Sequence, residues 1–314
     1  MLNPRHALST VSMKAMTLVF WALAALLLLP VAAPAWSGAG HQVIAAEAYR
    51  ELSPALQKKV LQVLKAHPQY QEWKDPFHGD AGNPEFGLQI FMRASTWPDE
   101  IRHAESKHSH PKWHFINYPL KPSRFPFVPD SSPENDILFA IQQCEQNLSN
   151  RKASSEEHAV CLSWLIHLIG DLHQPLHCSS LFDSAHPNGD RGGNDFFVKP
   201  AAQGIPLHSF WDGLLGTSGK AQSHLNYAIA LQSEHPRKSL KPLKKARTAK
   251  DWSLESRSLA VESVYLHGRL KGGINREAAP DLPSGYTKAA KAVAETQAAL
   301  AGYRLADEIR KWVK

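Results

Sequence analysis

Residues 161–177, CLSWLIHLIGDLHQPLH, carry the most chemistry in the chain. His167 and Asp171 are four residues apart, so on an α-helix both project from one face, one turn apart, where an imidazole and a carboxylate can meet the same ion. Pro175 stops the helix, and beyond it the backbone can turn so that His177 reaches back toward the same place. The neighbours Leu165, Ile166, Leu168, Ile169, Leu172 and Leu176 are apolar, and an unpaired carboxylate among them would be costly. A divalent metal resolves that cost. The alternative is a core helix in which His167 and Asp171 simply hydrogen-bond each other. Residues 207–212, LHSFWD, repeat the arrangement with His208 and Asp212, and a second pair at the same spacing strengthens the metal reading.

Other candidates are scattered along the chain. Asp99 and Arg102 lie in residues 95–102, STWPDEIR, and share a face if a helix starts near Pro98; a capped surface salt pair is the alternative. His114 sits in residues 113–118, WHFINY, an alternating extended segment with His114 and Ile116 facing one way and Phe115 and Asn117 the other. His103, His108 and His110 lack such a setting and read as solvated loop histidines. His41 opens an apolar helical run. Trp36, five residues before it, becomes the N-terminal residue if a leader is cut after Ala35, and its free amine and carbonyl could then chelate a metal; simple packing of the indole is the alternative.

The elements that position these residues are mostly helical. Residues 36–67 read as two helices, the second starting at Ser53-Pro54. Residues 68–90 read as loop. Helices are expected over 133–148 and 154–174, and the turn-rich segment NGDRGGND at 188–195 precedes a possible short strand at 196–198. Seven cations between His235 and Lys250 stand without local acids, either as a solvated linker or as a phosphate-attracting patch. Two helices, 253–270 and 284–313, close the chain. With few strand signals the expected class is all-α.

Residues 1–35 hold Arg5, Lys14, an apolar run over 15–33 and the small-residue end Ala33-Pro34-Ala35, and are expected to be a secretory signal peptide. No later run is long enough to span a bilayer, so secretion or periplasmic residence without stable membrane association is expected. The net charge falls from +6 for the whole chain to about +4 once residues 1–35, with two cations and no acids, are set aside, a mild basicity that suits an anionic partner. Three cysteines, Cys144, Cys161 and Cys178, are too few to staple residues 36–314, although export would permit one disulfide. A hydrophobic core must hold the fold.

In chain order, Trp36, His41, Asp99, His114, His167, Asp171, His177, His208 and Asp212 resemble the ligand set of the S1/P1 nuclease family of secreted zinc-dependent enzymes. The resemblance extends through the GDRGGN loop, Trp252, Glu255-Ser256 and the terminal AGYRLA at 301–306, and so covers essentially all of residues 36–314. It implies a single mainly helical catalytic domain of the phospholipase C/P1 nuclease type with a trinuclear zinc cleft, expected to be monomeric. By analogy one zinc takes Asp99, His114, His167 and Asp171, a second takes the Trp36 amine and carbonyl with His41 and Asp171, and a third takes His177, His208 and Asp212. The implied reaction is hydrolysis of single-stranded DNA and RNA to 5′-phosphates, with 3′-nucleotidase activity. Arg102 matches the family's phosphate-stabilising arginine, while Phe115 and Asn117 match the positions that stack and hydrogen-bond a nucleobase. Fungal members place Asp where Asn117 stands, so base preference does not carry over. A zinc phospholipase C is the rival reading, disfavoured by the short Trp36–His41 spacing and by Asp rather than Glu at position 212; a zinc-storage protein would need neither Arg102 nor the Phe115/Asn117 platform.

Overall fold

In a computed structural model of the chain, residues 36–74, 85–121 and 135–313 are described. The expected leader 1–35 lies outside them. Eleven α-helices are found among the described residues: α1 Gly38–Glu51, α2 Pro54–Leu64, α3 Tyr70–Lys74, α4 Phe86–Glu100, α5 Ile137–Ser149, α6 Ser155–Leu172, α7 Leu207–Asp212, α8 Ala221–Glu234, α9 Pro242–Lys245, α10 Ala249–Leu259 and α11 Tyr286–Trp312. The only strands among the described residues are two-residue pairs. Strand β1, Pro119–Leu120, runs parallel to β2, Ser180–Leu181, and β3, Phe197–Val198, runs antiparallel to β4, Ile205–Pro206. The chain is all-α, as expected.

Helix α1 is the hub, packing against α4, α8 and α11. Ser37 starts it, its side chain accepting from Gly40 N–H, and ten of its fourteen residues are buried. Helix α6 is the second axis, packed on α5, α4, α2 and α11. Ser154 and Glu157 form a capping box at its start, and from Leu162 to Leu172 every residue is buried. A helix apolar on all sides belongs inside a helical layer rather than on its surface. It ends at Leu172, and Pro175 opens a 3₁₀ turn over Pro175–Cys178.

Several local expectations change. Pro98 does not start a helix but lies near the end of α4, where its missing N–H forfeits a single hydrogen bond, to Ala94, in the last turn. Part of the expected loop over 68–90 is helical, as α3 and the start of α4. The penultimate expected helix breaks at Leu259 into a π turn, Ala260–Val264, and a 3₁₀ turn, Leu266–Gly268. His110 is half-buried and stacks on Trp113 at 3.8 Å, and His108 is half-buried beside Trp97, so of the three loop histidines only His103 is exposed. The acids absent from the basic segment come from elsewhere: Arg237 pairs with Asp307 at 2.9 Å and Glu51 at 3.3 Å. All three cysteines are free thiols.

Candidate metal centre

Asp171 is the centre of the site. Its carboxylate is fully buried, with Oδ1 3.2 Å from His41 Nε2 and Oδ2 3.1 Å from both His114 Nδ1 and His167 Nε2. Four elements converge to make this happen. Helix α6 supplies His167 and Asp171, α1 supplies His41, α4 supplies Asp99, and the extended segment after Trp113 supplies His114. Asp99 Oδ1 lies 3.6 Å from His114 Nδ1 and 3.8 Å from His167 Nε2. The approach of α1 to α6 depends on Gly170, where an added Cβ would sit 2.9 Å from His41 Nδ1.

The second constellation lies beyond the end of α6. His177 Nε2 and His208 Nε2 are 3.1 Å apart, and His208 Nε2 is 3.5 Å from Asp212 Oδ2. Three groupings could therefore hold a metal: His41, His167 and Asp171; Asp99, His114 and His167; and His177, His208 and Asp212.

The donors fit a metal because their hydrogens are committed elsewhere. His167 Nδ1 donates to Ser95 C=O at 2.8 Å, His177 Nδ1 to His114 C=O at 2.5 Å and His208 Nδ1 to Gly192 C=O at 2.6 Å. A carbonyl only accepts, so each neutral ring must carry its N–H on Nδ1 and turn an Nε2 lone pair into the cleft. In His177 and His208 two such lone pairs face each other, an arrangement that a shared cation satisfies and a hydrogen bond between neutral rings cannot. His41 Nε2, Asp99 Oδ1, Asp171 Oδ1 and Asp212 Oδ2 are likewise buried with no hydrogen-bond partner, which is costly for polar atoms that bind nothing.

Electrostatics divide the residues. Burial pushes His114 down to about 4 and His208 down to about 3, the latter helped by His177, keeping both neutral. Burial opposes charge on His167 too, but Asp171 and Asp99 outweigh it and hold that imidazole up at about 9. Burial would raise Asp171, yet His167 and His177 keep it well below the usual carboxylate range. Asp212 lies well above that range because burial dominates the bond it accepts from Gln174. A divalent ion would displace the His167 proton and favour the ionised form of Asp212.

The remaining predicted residues surround these clusters. The Arg102 guanidinium is 3.8 Å from Asp99 Oδ1, and its charge acts on His177, His208 and Asp212 as well. Phe115 and Asn117 are half-buried on a segment whose His114 and Ile116 are buried, the alternation expected. That segment is laced to the His177 turn: Ile116 N–H donates to His177 C=O at 2.8 Å, and Ser180 N–H to Tyr118 C=O at 3.0 Å. Trp36 is fully buried, its indole N–H donating to Gly170 C=O at 3.0 Å, while the Ser37 N–H donates to Asp212 C=O at 3.1 Å. The main chain at Trp36 is thereby tied both to the residue before Asp171 and to Asp212 itself.

Sequence reading missed several supporting groups. Gln174 donates from Nε2 to Asp212 Oδ1 at 2.7 Å and accepts from Leu176 N–H at 2.6 Å; a polar side chain between a buried helix and its stopping proline was the available signal. The carbonyls of Ser95 and Gly192 left no signal, because any residue has one. Gly192 itself is legible in retrospect: its φ of +65° and the 2.5 Å from an added Cβ to Leu176 O leave room for nothing larger. Behind α6, Arg304 of α11 donates to His173 Nε2 at 2.8 Å and pairs with Glu255 at 2.7 Å, locking the helix end.

A mainly helical domain carries three metal-competent His/Asp clusters, two of which meet at one buried aspartate. The profile of the S1/P1 nuclease family matches residues 36–314, and the chain belongs to that family. It is 27% identical over 180 residues to nuclease P1 of Penicillium citrinum, covering 56% of this chain but only 57% of that protein. Nuclease S1 of Aspergillus oryzae is 24% identical over 230 residues, 68% of this chain and 75% of that one. Endonuclease 4 of Arabidopsis thaliana is 27% identical over 153 residues, 44% and 47% of the two chains. No helix among the described residues is long and apolar enough to cross a membrane.

Proposed function

We propose that this protein is an exported, zinc-dependent phosphodiesterase that hydrolyses single-stranded DNA and RNA to 5′-nucleotides and also removes 3′-phosphates from nucleotides. The observation that carries this reading is the Asp171 carboxylate, one oxygen turned to His41 and the other to His114 and His167, so that a single residue faces donors from two of the three clusters. His41, Asp171 and the Trp36 main chain would hold one zinc, Asp99, His114, His167 and Asp171 a second, and His177, His208 and Asp212 a third, all of them the imidazole and oxygen donors that zinc accepts. Zinc there would supply Lewis acidity and charge neutralisation for attack of water on a phosphodiester.

The chain's own groups supply the rest. Arg102 would bind phosphate oxygens and offset the charge they gain as the P–O3′ bond breaks. Phe115 offers a ring face to a base, a contact that tolerates sequence, and Asn117 can both donate to and accept from the base edge. Of the nine proposed ligand residues all but Asp99 have buried side chains, which keeps competing water from the donors and strengthens their field.

Parallel assays on single-stranded DNA, RNA, 3′-AMP and phosphatidylcholine, with elemental analysis of the same protein, test the proposal. The expected result is hydrolysis of the first three and about three zinc ions per chain; hydrolysis of the lipid alone would overturn it. Residues 1–35 are proposed to be removed on export, since the Trp36 nitrogen can serve as an amine donor only when it is the terminus. One extra Gly before Trp36 should lower zinc content and activity sharply with the fold retained, and equal activity in both forms would remove Trp36 from the site.

A further inference from the structure

Tyr118 follows directly on Asn117, and three features mark it as more than a packing residue. It is half-exposed. Its hydroxyl accepts from Lys250 Nζ at 2.7 Å and lies 3.1 Å from Ser253 Oγ. The same ammonium sits 4.7 Å from the centre of the Tyr118 ring. Lys250 stands in the first turn of α10, which Thr248 and Asp251 cap reciprocally, and its side chain is exposed. An exposed lysine spends side-chain entropy to hold one geometry, and here two contacts with Tyr118 fix it beside the Phe115–Tyr118 segment. An ammonium has three donors, and the tyrosine takes one.

The position is defined by the segment that bears His114 and leads into β1. From His114 to Tyr118 is four residues, at most roughly 14 Å of extended chain. The carbonyl of Tyr118 is tied to Ser180 N–H and Ile116 N–H to His177 C=O, so the aromatic–cation pair is rigidly indexed to the metal-binding turn. Along this segment the order is His114, then Phe115 and Asn117, then a tyrosine ring with a fixed cation. Asp251, the acid nearest in sequence, is occupied by the backbone of Arg247 and Thr248.

We propose that Tyr118 and Lys250 form an additional nucleotide subsite, binding a nucleobase and backbone phosphate of single-stranded nucleic acid next to the Phe115/Asn117 position. This rests on the nuclease reading above. The subsite favours chains over mononucleotides, because a substrate bearing one nucleotide ends before it reaches Lys250. An aromatic face with a neighbouring cation is the combination that holds unpaired strands without reading their sequence.

The test compares wild type, Lys250→Ala and Tyr118→Ala on a ten-nucleotide oligothymidylate and on 3′-AMP, with thermal melting to confirm folding. The expected result is a roughly 3–10-fold fall in the ratio of kcat/KM for the oligomer to that for 3′-AMP in either variant, the scale of one charge-assisted contact. For Lys250→Ala the salt dependence of oligomer binding, read by fluorescence anisotropy, should lose about 0.7 in slope per phosphate contact removed. A wild type that cleaves the oligomer, with variants that keep the ratio, overturns the subsite alone. A wild type that binds the oligomer with the predicted loss in both variants but cleaves neither substrate overturns the nuclease reading and leaves the subsite standing. A wild type that neither binds nor cleaves overturns both.

Discussion

The cluster around Asp171 and the cluster around His208 use the same residue pair at the same spacing, yet they are held in place by different means. Around Asp171 all donors but His114 come from long helices, α1, α4 and α6, whose positions are set by packing of buried faces. Around His208 they come from a six-residue helix and a 3₁₀ turn, and hydrogen bonds do the positioning: Gly192 C=O and Gly193 C=O of a glycine-rich loop hold His208, His114 C=O holds His177, and Gln174 holds Asp212. Packing restrains a helix along its whole length, whereas a hydrogen bond restrains one group at a time. The Asp171 cluster should therefore lose function only when a donor itself is changed, and the His208 cluster should loosen when any one supporting bond is lost.

The largest effect is expected at the residue the first cluster shares. Asp171→Asn should lower turnover by more than about 10³-fold and release two ions together, because the amide offers one weakly donating oxygen where the carboxylate offered two charged ones. Elemental analysis showing the full zinc complement in this variant would end the idea that Asp171 bridges. Arg102→Ala is expected next, with kcat lower by about 10²–10³-fold and the metals retained, since the guanidinium binds the reacting group rather than an ion. Full turnover in that variant would show that Arg102 only pairs with Asp99.

Gln174→Ala distinguishes the two clusters directly. It removes the one hydrogen-bond partner of Asp212 Oδ1 without touching any donor, and should weaken the third metal by about 10–100-fold while the ions around Asp171 keep their affinity. Competition with a graded series of chelators would show it, and uniform weakening of all three ions would dissolve the contrast between packed and hydrogen-bonded support. The smallest effect is at the rim. Phe115→Ala should raise KM for single strands by an amount equivalent to about 1–3 kcal/mol of lost stacking, with kcat and zinc content near wild type. A fall in kcat with KM unchanged would place Phe115 in the support of His114 instead.

The helical class, the starts of α2 and α6 at Ser53-Pro54 and Ser154, and both His/Asp pairs are legible in the sequence, because helical spacing is a local rule that puts residues i and i+4 on one face wherever the helix ends up. The alternation that buries His114 and leaves Phe115 and Asn117 at the rim is legible there too. Helix ends were less legible where proline was involved: Pro98 stands inside α4, since one missing N–H near a C-terminus costs little against a buried face. Only the tertiary structure decided that His41, Asp99 and His114 meet at Asp171, residues separated by up to 130 positions in the chain and brought together by burial of α1, α4 and α6 against one another. The choice of ring nitrogen that His167, His177 and His208 turn inward belongs to the same level, because it is made by main-chain carbonyls at Ser95, His114 and Gly192, and a carbonyl carries no mark in the sequence.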